Sequence, residues 1–374
     1  MEIKYLNWAK DRDQELHART DIHTLLSSAV YEPTDMLLED IRKFQEVAAD
    51  YLHQLGVHGH VLLKKQLARQ YGTNPDNIVI TNGASNGIYL INRLLLQKGD
   101  HVIIEKPCYE PLRSSPEFIR ADIRYIARRP PDYRIDPDEL IDMLKPQTKL
   151  ITLTNLHNPS GTLMDDDFLL ELAAAAKAKS PHIKIMVDEI YHDFLPEIPR
   201  PAAALDDCFI TLNSLTKVYG LGAIHCGWII ADRATTYQLL NLHTLVEGTG
   251  SRLVGGLATL ISERFGNYHA RAIELVKANR QIAHQYLQPL INKGLIEGEI
   301  PRNGCIYFPK ININMPVDVL TEKLASDYSV YVVPGKFFDM PENIRIGFGG
   351  PEDMLKPALA KFCEAIAGLA KKAQ

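Results

Sequence analysis

Lys217 follows the apolar run Cys208-Phe209-Ile210-Thr211-Leu212 and precedes the glycine turn Gly220-Leu221-Gly222. An amine held between a buried strand and a tight turn is poorly hydrated, which lowers its pKa and lets it form a Schiff base with a carbonyl. Most lysines are solvated surface charges, so the position gains meaning from its company. Upstream, in chain order, stand Thr81-Asn82-Gly83-Ala84-Ser85, Lys106-Pro107-Cys108-Tyr109, Asn158-Pro159-Ser160-Gly161 and Asp188-Glu189-Ile190-Tyr191. Downstream stands Asn343-Ile344-Arg345-Ile346-Gly347. Small residues at 83–85 let backbone N–H groups approach an anion at a helix start. The planar guanidinium of Arg345 suits a carboxylate.

The elements that must position these groups read as alternating strands and helices. Apolar runs at 78–80, 102–104, 150–153, 183–187 and 209–212 are separated by helix-length stretches, among them 84–96 and 166–179. That alternation predicts an α/β domain with a mainly parallel sheet. The polar motifs fall at the C-terminal ends of the runs, where open α/β sheets bind ligands. A long helix is expected over 267–287, strands at 305–308 and 330–333, and a last helix over 357–371.

The ordered motifs resemble the fold-type I pyridoxal-phosphate (PLP) enzymes, and among them the class I and II aminotransferases, from about Gly59 to Gly347. The resemblance implies a large PLP-binding domain over 42–266 and a smaller α+β domain built from 1–41 and 267–374. It implies a Schiff base on Lys217 and Asp188 on the ring nitrogen, keeping the ring an electron sink. Tyr191 and Asn158 would contact the ring oxygen, and Tyr109 would stack on the ring. Gly83, Ala84, Ser85 and Ser214 would hold the phosphate. Arg345 would bind the substrate carboxylate, with Asn158 and Ser28 beside it. A homodimer acting on an L-amino acid and a 2-oxo acid is the expected assembly.

The chain also departs from that pattern. His225 stands eight residues after Lys217, where the family has a phosphate-binding arginine, and is carried over as a phosphate contact. Tyr51 lies too far upstream of Gly59 to supply the family's cross-subunit tyrosine, and His53, His58 and His60 crowd that stretch as expected loop residues. Ser27 and Ser28 resemble the capreomycidine-synthase-like branch, which uses the same carbanion for elimination and ring closure on an arginine-derived amino acid. Asp11, Asp13 and Glu15 are expected on a solvated helix face.

Composition excludes other classes. A net charge of −5 over 374 residues does not suit nucleic acid. Five widely spaced cysteines without a C-x-x-C read as reduced thiols in a cytoplasmic protein, neither a disulfide frame nor a metal site. No apolar run is long enough to span a bilayer.

Overall fold

The computed structural model describes residues 3–17, 22–53, 55–56 and 59–372. Its centre is a seven-stranded sheet. In chain order the strands are β1 (Ile78–Thr81), β2 (His101–Lys106), β3 (Asp122–Ala127), β4 (Thr148–Thr154), β5 (Lys184–Asp188), β6 (Phe209–Ser214) and β7 (Gly227–Ile230). Across the sheet they run β1-β7-β6-β5-β4-β2-β3. The ladders β6-β5-β4-β2-β3 are parallel, and β7 is antiparallel to both neighbours. Its direction follows from chain length. The link from β6 to β7 holds only one short 3-10 turn, Gly222–Ile224, and cannot make a helical crossover.

The helices that frame the sheet and the C-terminal part include α1 (Lys4–His17), α2 (Gly83–Leu95), α3 (Glu110–Ile119), α4 (Asp166–Lys179), α5 (Arg233–Glu247), α6 (Phe265–Asn292) and α7 (Glu352–Lys372). Strand period sorts the sheet residues onto two covered faces. Val102, Ile104, Met186, Ile210 and Leu212 pack with Ile88 of α2 and Leu239 of α5. Ile103, Ile151, Ile185, Val187 and Phe209 pack with Leu169 and Leu172 of α4. Helix ends match the macrodipole: the Asp165 side chain accepts from Phe168 N–H, and Lys177 and Lys179 close the last turn of α4.

In the C-terminal part α6 and α7 pack on each other, α7 also packs on the strands His23–Thr24 and Val330–Tyr331, and Ile306–Tyr307, Ile344–Gly347 and Val333–Pro334 form a three-stranded sheet. The strand at His23–Thr24 pairs in parallel with Val330–Tyr331, which brings this stretch of the N-terminal segment onto the C-terminal part. One apolar cluster runs from Leu67, Tyr71 and Trp228 through Ile282 to Leu320 and Phe362.

Most expected strands and helices are present, and the differences have local causes. β3 escapes the apolar-run reading because it is an edge strand whose Arg124 and Tyr125 are exposed. β7 is short and begins at a glycine. The last helix begins five residues before Pro357, which sits inside it. No helix among the described residues is long and apolar enough to cross a membrane, and none of their His, Cys, Asp and Glu side chains form a group of three or more that could hold a metal. All five cysteines are free.

Candidate active site

Five strands deliver the sequence motifs to one edge of the sheet. β5 ends at Asp188, β4 leads to Asn158, β6 leads through Ser214 to Lys217, β1 leads to Gly83, and β2 leads to Tyr109. Ser28, Gly83, Ala84, Ser85, Tyr109, Asn158, Asp188, Tyr191, Ser214, Lys217, His225 and Arg345 all line one cavity of about 260 Å3.

The Lys217 amine donates to Ser28 Oγ at 3.1 Å. Burial lowers its pKa from the ordinary value, and the nearby Arg345 charge lowers it further. Asp188 is 3% exposed. Burial raises its carboxyl to about 7, opposed by the Ile190 N–H that Oδ1 accepts at 3.1 Å. That is the only hydrogen bond to this carboxyl among the described residues. A buried carboxyl so poorly matched suits a cationic ring nitrogen. The Tyr191 hydroxyl is buried in the same cavity beside Ser28, with no hydrogen bond of good geometry among the described residues.

Arg345 is buried, with Nη1 donating to Asn158 Oδ1 at 3.2 Å and Nη2 to the Tyr5 hydroxyl at 3.0 Å and the Leu26 carbonyl at 3.2 Å. Its Nε–H is buried and has no partner among the described residues, so the guanidinium keeps a donor for a ligand. The first turn of α2 carries N–H groups that no helical carbonyl can reach, and Asn82 does not cap them with its side chain. Asn82 Oδ1 instead lies 2.9 Å from His225 Nδ1. Gly227 backs the same turn: a Cβ there would fall 2.7 Å from the Gly83 carbonyl carbon and 2.9 Å from Ala84 N. Only glycine lets β7 come this close.

Sequence reasoning missed Tyr5. It projects from α1 over the cavity, in edge contact with Tyr109 at 6.1 Å between ring centroids. Burial pushes its phenol up, but the Arg345 and Lys217 charges outweigh that and hold it below the ordinary value. The start of α1 is fixed from outside the helix. Buried Glu110 accepts the N–H groups of Lys4, Tyr5 and Leu6 at 2.8, 3.0 and 3.2 Å. The only signal in the sequence is an aromatic pair, Tyr5 and Trp8, on one helical face.

Other expectations change. His60 is buried instead of a loop residue, with Nε2 3.3 Å from the Ser251 carbonyl and a pKa lowered by burial. Helix packing against Gly255, which leaves room for the imidazole, brings it inside. His53 is exposed, and His58 lies outside the described residues. Tyr51 donates to Glu263 at 2.6 Å, away from the cavity. Asp11, Asp13 and Glu15 do not line the cavity, although α1 covers it; Glu15 accepts from the Tyr331 hydroxyl at 2.9 Å.

The model of the family "Aminotransferase class I and II" matches residues 27–362. The chain belongs to that family, whose enzymes use pyridoxal 5'-phosphate. It is 27% identical over 313 residues to capreomycidine synthase of Streptomyces vinaceus, covering 82% of this chain and 79% of that one. It is 26% identical over 303 residues to an aspartate aminotransferase of Pyrococcus horikoshii, covering 78% and 76%. A PLP-dependent aminotransferase of Streptococcus suis superposes with a TM-score of 0.88 at 23% identity, over 99% of both chains. The PLP-dependent cyclase OrfR superposes at 0.85 with 21% identity, over 100% and 98%. The cavity fits the cofactor: it offers an amine, a buried carboxyl, a helix N-terminus opened by glycines, and a buried phenol.

Proposed function

We propose that the protein is an aminotransferase that moves the amino group of an L-amino acid to a 2-oxo acid, as a homodimer. The observation that carries this is the convergence of the Lys217 amine, the Asp188 carboxyl and the Arg345 guanidinium in one cavity. Bound PLP supplies an aldehyde for imine exchange and a ring that accepts the electron pair left at Cα. Lys217 is the amine that would carry that aldehyde and then take up and return the Cα proton, a task its lowered pKa assists. Asp188 would hold the ring N–H, Tyr191 and Asn158 the ring oxygen, and the α2 N-terminus with Ser214 and His225 the phosphate. Tyr109 would support the ring face. Arg345 would fix the substrate carboxylate, Ser28 would hold the amine of Lys217 in place, and Tyr5 with α1 would keep water from the reacting carbon.

The test is a half-reaction. Amino donor alone should discharge the visible band of the bound cofactor in one equivalent, and a 2-oxo acid should restore it. Reduction with borohydride should then fix the cofactor to Lys217; label on another lysine would sink the assignment. A second reading, elimination and ring closure, is favoured by the likeness to capreomycidine synthase. It requires continuous turnover of one substrate with the labelled α-nitrogen retained in the product.

A further inference from the structure

Leu6, Ser85 and Ile88 line the reaction-centre cavity and also a second, larger one beside it. This groove has a volume of about 670 Å3, within the range of small-molecule sites. Its walls are Ile3 just before α1, Leu6 of α1, Ile88 and Tyr89 of α2, and Phe118 and Ile119 of α3. The charged residues among its lining are Arg93 and Lys98, both exposed. Phe118 is 73% exposed and Tyr89 is 42% exposed, so aromatic surface faces water along the groove.

We propose that this groove receives the side chain of the amino acid substrate, and that the side chain is long and apolar. The inference rests on the reading of the neighbouring cavity as the amino acid site. Leu6 and Ile88 stand between the two cavities, so with the carboxylate on Arg345, Cα beside Lys217 and the phosphate on the α2 N-terminus, the remaining substituent would leave over them. Among the described residues, the titratable groups lining the reaction centre other than tyrosines are Lys217, Asp188, Arg345 and His225, and all four are assigned to cofactor or carboxylate, which leaves none to neutralise a charged side chain. The walls beyond offer apolar surface, whose burial stabilises a methylene chain.

The holoenzyme is mixed with straight-chain L-2-amino acids from alanine to 2-aminooctanoate, and with aspartate and arginine, and the loss of the cofactor band is timed. The second-order rate constant should rise about fourfold per added methylene, the factor matching about 0.8 kcal/mol per buried CH2. Phe118→Glu, a change at an exposed position, should cut the ratio of the 2-aminooctanoate to the alanine constant at least tenfold. A flat series, faster reaction with aspartate or arginine, or an unaltered ratio in the variant overturns the groove while leaving the aminotransferase reading in place. No band change with any amino acid overturns both.

Discussion

Asp188 shows how burial sets the chemistry of a single group. Between its ordinary value of 3.8 and about 7, the folded cofactor-free protein keeps a proton that the unfolded chain has released. Stability of that form should therefore fall as pH rises through this window, by up to about 4 kcal/mol. Asp188→Asn cannot ionise, so its melting temperature should lose this part of the pH dependence. Holoenzyme should lack the slope as well, because a cationic ring nitrogen would pair with the carboxylate. Calorimetry of the three forms from pH 4 to 8 checks this; an unchanged slope in the variant would assign it to other groups. At the other end of the cavity, His225→Arg would place a permanent, forked cation beside the α2 N-terminus. It should lower the cofactor dissociation constant about tenfold in a spectral titration. Unaltered affinity would put His225 off the phosphate.

At the scale of elements, α1 is held by one carboxylate and β7 by one glycine. Glu110 stabilises three N–H groups at a helix N-terminus, where charge-assisted bonds and the dipole act together. Glu110→Gln keeps the shape and removes the charge, so α1 should loosen over the cavity. We expect substrate KM to rise about tenfold and α1 to become a preferred site of limited proteolysis, with a small change in melting temperature. Gly227→Ala would drive a methyl into the backbone of Gly83 and Ala84. Neither atom can swing away, so the α2 start must shift and cofactor affinity should drop at least tenfold, read by equilibrium dialysis.

For the whole molecule, apolar surface clusters at the far end of α5 and in the helix Arg252–Ser262. Leu245 is 86% exposed and Leu253 is 61% exposed. Thr249, Gly250 and Ser251 between them line a small cavity with His60 and His225, beside the phosphate end of the site. Patches of this kind mark association surfaces. If the homodimer forms there, sedimentation should give twice the chain mass of 42.1 kDa. Leu245→Lys with Leu253→Lys should shift the protein to monomer and weaken cofactor binding at the adjoining His225 end.

The α/β fold, the chain order of the motifs and the strand ends that lead to Asp188, Asn158 and Lys217 are legible in the residue pattern. These are set by local period: an apolar run ends where a polar motif begins, and a parallel sheet places every such end on one edge. Packing settles that Tyr5 covers the cavity, that Glu110 anchors α1, that Ser28 meets Lys217 and that His60 is buried. Each of these joins residues far apart in the chain, such as Ser28 and Lys217 at a separation of 189. No spacing rule encodes them, because they arise from how packed faces meet once the sheet is built. The groove between α1, α2 and α3 is likewise invisible to any one segment, since each helix contributes a single apolar wall.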